Sequence, residues 1–170
     1  MGYTTKLVAQ LMRDLGSIPA PMNSFILNLG LQTLHLRMAQ HCSNAQRVAE
    51  FLQADPRVAW VHYSGLPGDA YHELAEKYLP GGSCGVIAFG LKGDRETAIR
   101  FMDSLDMINI VTHVADARTC VLHPASHTHR QLSDEQLREA GVAPDLIRLS
   151  VGIEDCDDIL DDIRQALDKI

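Results

Sequence analysis

The chain predicts an α+β fold: a two-layer domain with a mostly antiparallel sheet and helices on one face. Three observations predict it. Apolar runs of strand length alternate with amphipathic stretches of helix length. Near residues 108–122 two strand-like runs adjoin with no helix between them. The run 146–154, Leu-Ile-Arg-Leu-Ser-Val-Gly-Ile-Glu, reads as a strand whose faces differ: Ile147, Leu149 and Val151 share one, Arg148 and Ser150 the other.

The elements follow in order. Residues 7–15 read as a short helix, stopped by Gly16, Pro19 and Pro21. Asn23 or Ser24 can cap the next helix, which is expected to run to about Gln53 as largely one piece. Met38, Cys42, Ala45, Val48, Ala49 and Leu52 give its second half a helical stripe, and Asp55-Pro56 stops it. Residues 58–62 read as a strand and 66–68 as a turn. A helix with Tyr71, Leu74, Ala75 and Tyr78 on one face then ends at Pro80-Gly81-Gly82. The apolar run 86–89 is a buried strand, Ala98, Phe101, Met102 and Leu105 mark a helix, and 108–111 and 119–122 are strands around an irregular 112–118 loop. Ser133 with Gln136 makes a capping box, and Gly141 then Pro144 form a helix stop. The last helix opens on Asp155, Asp157 and Asp158 and closes on Lys169, matching charge to dipole at both ends. Ile159, Leu160, Ile163, Ala166, Leu167 and Ile170 line its buried side.

A length of 170 residues fits one domain with a real core. A net charge of −7 disfavours nucleic acid and anionic membrane as partners. No apolar run approaches the ~18 residues of a membrane span, and the N-terminus lacks a signal-peptide pattern. Cys42, Cys84, Cys120 and Cys156 are scattered, with no Cys-x-x-Cys pair, and read as reduced thiols of a cytoplasmic protein.

Arg148 is the first candidate for chemistry. A charge inside an apolar strand is costly unless it meets an anion, and the guanidinium fork grips both oxygens of a carboxylate. That anion is either a ligand's carboxylate or an internal Asp or Glu. Cys120, His123, His127 and His129 offer metal ligands, but Cys-x2-His-x3-His-x-His is not a structural zinc spacing and Pro124 stiffens its middle. No residue is assigned to a metal. Pro80-Gly-Gly-Ser83 precedes a strand with no lysine following, so it is a helix stop rather than a phosphate loop. No nucleophile–base pair is arguable.

The wording of several segments resembles the Cys/Met-metabolism family of pyridoxal-phosphate (PLP) enzymes, and specifically their C-terminal domain. The segments are Gly30-Leu-Gln-Thr-Leu-His-Leu-Arg-Met38, Asn44-Ala45, Gly85-Val-Ile-Ala-Phe89, the 116–132 stretch, and Arg148-Leu-Ser-Val-Gly152, in the right order along essentially the whole chain. Asp116-Ala-Arg-Thr119 and Thr128-His-Arg-Gln-Leu132 look most like the O-acetylhomoserine sulfhydrylase branch. The resemblance implies the small domain of a fold-type I PLP enzyme, with a long N-terminal bridging helix, 1–22 a remnant of, or connection to, a large domain and 23–170 the small domain. It implies that Arg148 binds the substrate's α-carboxylate, which holds the amino acid for cleavage at Cα. His113 and Thr128 would lie beside that substrate. His113 departs from the family, which has Ser or Asn there and Gly at Ala115.

The family's lysine, its Gly/Ser-rich phosphate cup and its Asp facing the pyridine nitrogen find no match here. Thr4-Thr5-Lys6 echoes the lysine motif, but Leu7-Val8-Ala9 replaces what should follow; Lys77, Lys92 and Lys169 have no such setting. The expected assignment is therefore an O-acetylhomoserine (or O-acetylserine) sulfhydrylase-like domain, inactive alone. It carries no catalytic or cofactor-binding residue of its own and binds no PLP. Its expected partners are the PLP-binding large domain, further copies of itself, and an amino-acid substrate. The alternatives are a free-standing, non-catalytic amino-acid-binding or self-association domain, and a metal-binding module.

Overall fold

Helical structure begins at the N-terminal end of the computed structural model, which describes residues 2–170. Helix α1 (Gly2–Lys6) runs through a π-helical stretch, Leu7–Met12, into α2 (Arg13–Leu15). Gly16 ends it in the left-handed region (φ 68°), its N–H bonded to the Met12 carbonyl at 2.8 Å. Helix α3 (Pro21–Gln32) starts two residues earlier than the expected cap. Ala20 is extended, and Pro21 occupies the first helical position, where its missing N–H has no helical partner to lose. Asn23 and Ser24 are thus inside the first turn rather than capping it. The long helix also breaks: Thr33 leaves the helical region (φ −107°, ψ 5°), and α4 (Leu34–Ala54) begins after it. Gly30 and β-branched Thr33 are weak helix formers, and the break falls at the second.

The chain divides into two compact units, the first ending at His35 and the second running Leu36–Ile170. The first unit has no buried residue in its helices, and Phe25, Ile26, Leu27, Leu29 and Leu31 of α3 are exposed.

In the second unit five strands form one sheet in the order β1-β2-β5-β4-β3: β1 (Val58–His62), β2 (Val86–Leu91), β3 (Asn109–Ile110), β4 (Cys120–Leu122) and β5 (Leu146–Ser150). All neighbours are antiparallel except β3 and β4, which are parallel. The register places Ile87 opposite Leu149, Phe89 opposite Ile147 and Val121 opposite Leu149. These residues pack in one core with Ala45, Val48, Ala49 and Leu52 of α4, Ala98, Phe101 and Met102 of α6 (Arg95–Asp103), and Ile159, Ile163, Ala166 and Leu167 of α8 (Cys156–Leu167). Phe89 and Phe101 meet edge to face, ring centroids 5.9 Å apart. Of the stripe read from α4, Ala45, Val48, Ala49 and Leu52 bury while Met38 and Cys42 stay half-buried outside the core; of the α8 stripe, Leu160 and Ile170 pack against the core partly buried. The other sheet face carries the row His62–Ala88–Arg148–Leu122.

Local signals set the helix ends. Asp94 and Thr97 close a capping box on α6, as Ser133 and Gln136 do on α7 (Asp134–Glu139); Asp155 caps α8. Helix α5 (His72–Tyr78) forms where it was expected. It buries only Ala75, while Tyr71, Leu74 and Tyr78 stay exposed, because only its Ala75 side faces the rest of the unit. No helix of the described residues is long and apolar enough to cross a membrane.

Candidate functional site

Arg148 sits at the middle of central strand β5, between Ala88 of β2 and Leu122 of β4, on the face away from the core helices. The alternation read from the sequence holds: Ile147 and Leu149 are buried in the core and Arg148 is half-buried on the other side. Its Nη2 donates to the carbonyls of Thr112 (3.0 Å) and His113 (3.2 Å). Its Nε is buried with no hydrogen-bond partner in the chain. Among the described residues no carboxylate forms an ion pair with it. Two carbonyls orient a guanidinium without neutralising it, so the charge stays available to an anion.

The loop 112–119 that supplies those carbonyls is tied down on every side. The His113 carbonyl also accepts from Cys120 Sγ (3.3 Å), and Ala115 N–H donates to Ser150 Oγ (3.1 Å). Ile153 N–H donates to the Ala117 carbonyl (2.9 Å). Glu154 accepts from Thr119 N–H (2.5 Å) and Thr119 Oγ1 (2.9 Å), while Thr119 Oγ1 accepts from Gly152 N–H (2.9 Å). From α4, Asn44 Nδ2 donates to the carbonyls of Gly152 (3.1 Å) and Glu154 (2.9 Å), and His41 Nδ1 to that of Val151 (2.7 Å). A Cβ on Gly152 would lie 2.2 Å from Glu154 Oε2 and 2.5 Å from the Ala117 carbonyl, so only glycine lets these segments meet. His41, Asn44, Thr119 and Glu154 were not singled out as site residues. The one available signal was polar residues at core-facing positions of the α4 stripe.

The three expected substrate-binding residues are not brought together as side chains. His113 contributes its carbonyl to Arg148; its ring is exposed, with Nδ1 3.4 Å from Asp116 Oδ2. The Arg118 N–H, then the Arg118 charge and His113, hold the Asp116 carboxyl below the usual range. Thr128 is exposed, and its Oγ1 meets His129 Nδ1 at 2.9 Å within the turns after β4.

Ala115 has φ 61°, a left-handed conformation that costs a residue with a Cβ ~1 kcal/mol. Ala115→Gly is expected to stabilise the fold by up to ~1 kcal/mol, less the extra freedom glycine gains when unfolded. The midpoint of urea unfolding checks it; a lower midpoint would mean the loop is not strained at this position.

The histidines of 123–129 are engaged as hydrogen-bonding groups. His123, fully buried, donates from Nε2 to the Pro144 carbonyl (2.8 Å) and accepts at Nδ1 from Ser126 Oγ (2.8 Å); His127 Nδ1 meets the His123 carbonyl (3.0 Å). Among the described residues no group of three or more His, Cys, Asp or Glu could hold a metal ion. Burial lowers the His123 pKa below its ordinary 6.5, outweighing the Pro144 carbonyl, with the Arg95 and His127 charges adding to the depression. A depressed histidine binds more protons unfolded than folded, so its contribution is fully present above pH 6.5 and is lost as pH falls through the folded value. Urea midpoints measured from pH 7.5 down to 5 should fall below pH 6.5, and this slope should flatten in His123→Gln. An unchanged slope would exclude His123 as its source.

Residues 3–168 match the family model of Cys/Met metabolism PLP-dependent enzymes, and the chain belongs to that family. It is 41% identical over 167 residues to O-acetyl-L-homoserine sulfhydrylase 1 of Thermus thermophilus, covering 98% of this chain and 40% of that protein. It is 42% identical over 168 residues to homocysteine synthase of Schizosaccharomyces pombe, covering 99% of this chain and 39% of that protein. Among solved structures, an O-acetylhomoserine (thiol)-lyase from Campylobacter jejuni, crystallised with pyridoxyl-lysine monophosphate, superposes with a TM-score of 0.90. That match has 38% identity and covers 98% of this chain and 39% of that one. The chain therefore spans about two fifths of the length of these relatives.

Proposed function

We propose that the chain is the C-terminal small domain of an O-acetylhomoserine (or O-acetylserine) sulfhydrylase-like enzyme, with Arg148 as the anchor for the substrate's α-carboxylate. The reaction replaces acetate by sulfide or a thiol; with O-acetylhomoserine and sulfide the product is homocysteine. The observation that carries this reading is the guanidinium of Arg148, held on the open sheet face by carbonyls and left without a carboxylate partner.

The residues present do not themselves fit PLP. Lys6, Lys77, Lys92 and Lys169 are all exposed, Lys77 over the Tyr78 ring and Lys169 with its Nζ 3.4 Å from the Ser104 carbonyl. When bound in an enzyme of this family, the cofactor supplies the electron sink for chemistry at Cα and beyond. In this reading the lysine, the phosphate cup and proton transfer belong to a large domain outside this chain. The exposed apolar residues of α3 support a covering partner, either that large domain or a second copy.

The test is to express the chain together with the coding sequence that flanks it, and separately alone. The complete protein should turn over O-acetylhomoserine with sulfide. The chain alone should show no turnover and no borohydride-reducible lysine adduct with PLP. Stoichiometric reduction onto one of the four lysines, with turnover by the chain alone, would overturn the reading.

A further inference from the structure

Ser150 is 2% exposed and stands two residues from Arg148 on the same sheet face, opposite Cys120 of β4. A buried hydroxyl is costly unless it is bonded, and Ser150 Oγ accepts the Ala115 N–H at 3.1 Å. That N–H belongs to the peptide unit directly after the one carrying the His113 carbonyl, which receives Arg148 Nη2. Ser150 thus grips the loop one peptide away from a group that aims the guanidinium.

The loop is strained at the same place. Ala115 lies in the left-handed region (φ 61°), which a residue with a Cβ leaves when nothing holds it there. The cost of that conformation and the worth of one neutral hydrogen bond are of the same order, so loss of Ser150 Oγ tips the balance. The direction of relaxation is also set. Beyond Ala115 the chain is fixed: Asp116 Oδ1 accepts from Arg118 N–H (3.0 Å), the Ala117 carbonyl from Ile153 N–H (2.9 Å), and Glu154 from Thr119 N–H (2.5 Å). On the near side the His113 carbonyl is held by a weak thiol donor, Cys120 Sγ at 3.3 Å, and by Arg148 itself. The 113–115 side therefore moves, and the guanidinium loses one of its two carbonyls.

We infer that Ser150 is a positioning residue for Arg148: it holds the Ala115 peptide in its left-handed conformation, so that the His113 carbonyl aims the guanidinium. The inference deepens the proposed reading of Arg148 as the carboxylate anchor and rests on that reading for its effect on turnover. The effect on the guanidinium itself is independent of it. No proton moves; Ser150 acts by geometry alone.

The experiment has two arms. In the chain itself, nitrogen NMR follows rotation of the Arg148 Nη2 group, which its two carbonyls slow. Ser150→Ala should speed that rotation about fivefold, the fold-change of one neutral hydrogen bond. In the complete protein the same substitution should lower kcat/KM for O-acetylhomoserine about fivefold, with PLP occupancy unchanged. Adding Ala115→Gly to Ser150→Ala should recover part of both losses, because glycine takes the left-handed conformation without strain although the hydroxyl is still missing. A serine that merely stabilised the fold would lower the unfolding midpoint and leave the Nη2 rotation as it was. Unchanged rotation in Ser150→Ala, unchanged kcat/KM in a complete protein that turns the substrate over, or no recovery in the double variant would each overturn the role. If rotation changes and recovers as expected while the unsubstituted complete protein does not turn over O-acetylhomoserine, the positioning role stands and the sulfhydrylase reading fails.

Discussion

Asp162→Ala is expected to destabilise the second unit by at least ~3 kcal/mol, a large share of the 5–15 kcal/mol that holds a typical domain. Asp162 lies on α8 with its side chain turned inward, 6% exposed. Its carboxylate accepts from the backbone N–H groups of Asp106 (2.8 Å), Met107 (3.1 Å) and Ile108 (2.8 Å), and from Gln165 Nε2 (3.0 Å). These bonds fasten the segment between α6 and β3 to the last helix. Hydrogen bonds to a charged acceptor are worth ~1.5–3 kcal/mol each, and its removal takes the acceptor from three backbone N–H groups, of which that of Ile108 is buried. Alanine removes the acceptor from all of them at once. Asp162→Asn keeps one acceptor oxygen and should fall between the two. Urea unfolding of the three proteins checks the order; an alanine variant within ~1 kcal/mol of the parent would show that solvent takes over these donors.

Asp162 also shows which parts of the molecule the sequence could reveal. The capping box of α7, the acidic start of α8, the glycine at 141 and the alternation of β5 are written within a few residues of where they act. Each was legible for that reason. The break at Thr33 depends on a small local preference competing with helix cooperativity, and it was missed. The shared face of Tyr71, Leu74, Ala75 and Tyr78 was legible, but periodicity reports that a stripe exists and not what lies opposite it, and only Ala75 buries. The buried polar residues were hardest. His41 and Asn44 find their partners 108–110 residues away at Val151, Gly152 and Glu154, and Asp162 finds its own 54–56 residues back. No local pattern announces such pairings. Of the candidate site, Arg148 was legible because a lone charge in an apolar strand violates the pattern around it. The carbonyls of Thr112 and His113 that orient it were not, since backbone groups leave no mark on composition. Thr128 shared a resemblance with its neighbours, but its hydroxyl bonds His129.

On the proposed sulfhydrylase reading, Arg148→Lys in the complete protein is expected to lower kcat/KM by ~10- to 100-fold without loss of fold or cofactor, corresponding to ~1.5–3 kcal/mol of binding realised in the transition state. The guanidinium is planar, and Nη2 alone satisfies both carbonyls, leaving Nε still without a partner in the chain. Nη2 thus holds the loop and Nε is buried, which leaves Nη1 as the end of the group to meet a carboxylate. A lysine offers a single ammonium on a flexible stem. Its donors cannot serve the Thr112 and His113 carbonyls and also present a fixed pair of N–H groups to a ligand. The charge would survive and the orientation would not, so a carboxylate would still be attracted but held loosely. Loss of orientation at the reacting carbon shows in kcat/KM more than in stability. The folded core should be indifferent, because Ile147 and Leu149 face the helices and Arg148 does not. Three measurements separate the cases: kcat/KM for the acetylated amino acid, PLP occupancy, and the unfolding midpoint of the variant. Activity that falls with the other two unchanged identifies the anchor. Full activity, or activity lost only together with cofactor or fold, makes Arg148 a structural arginine and puts the carboxylate elsewhere.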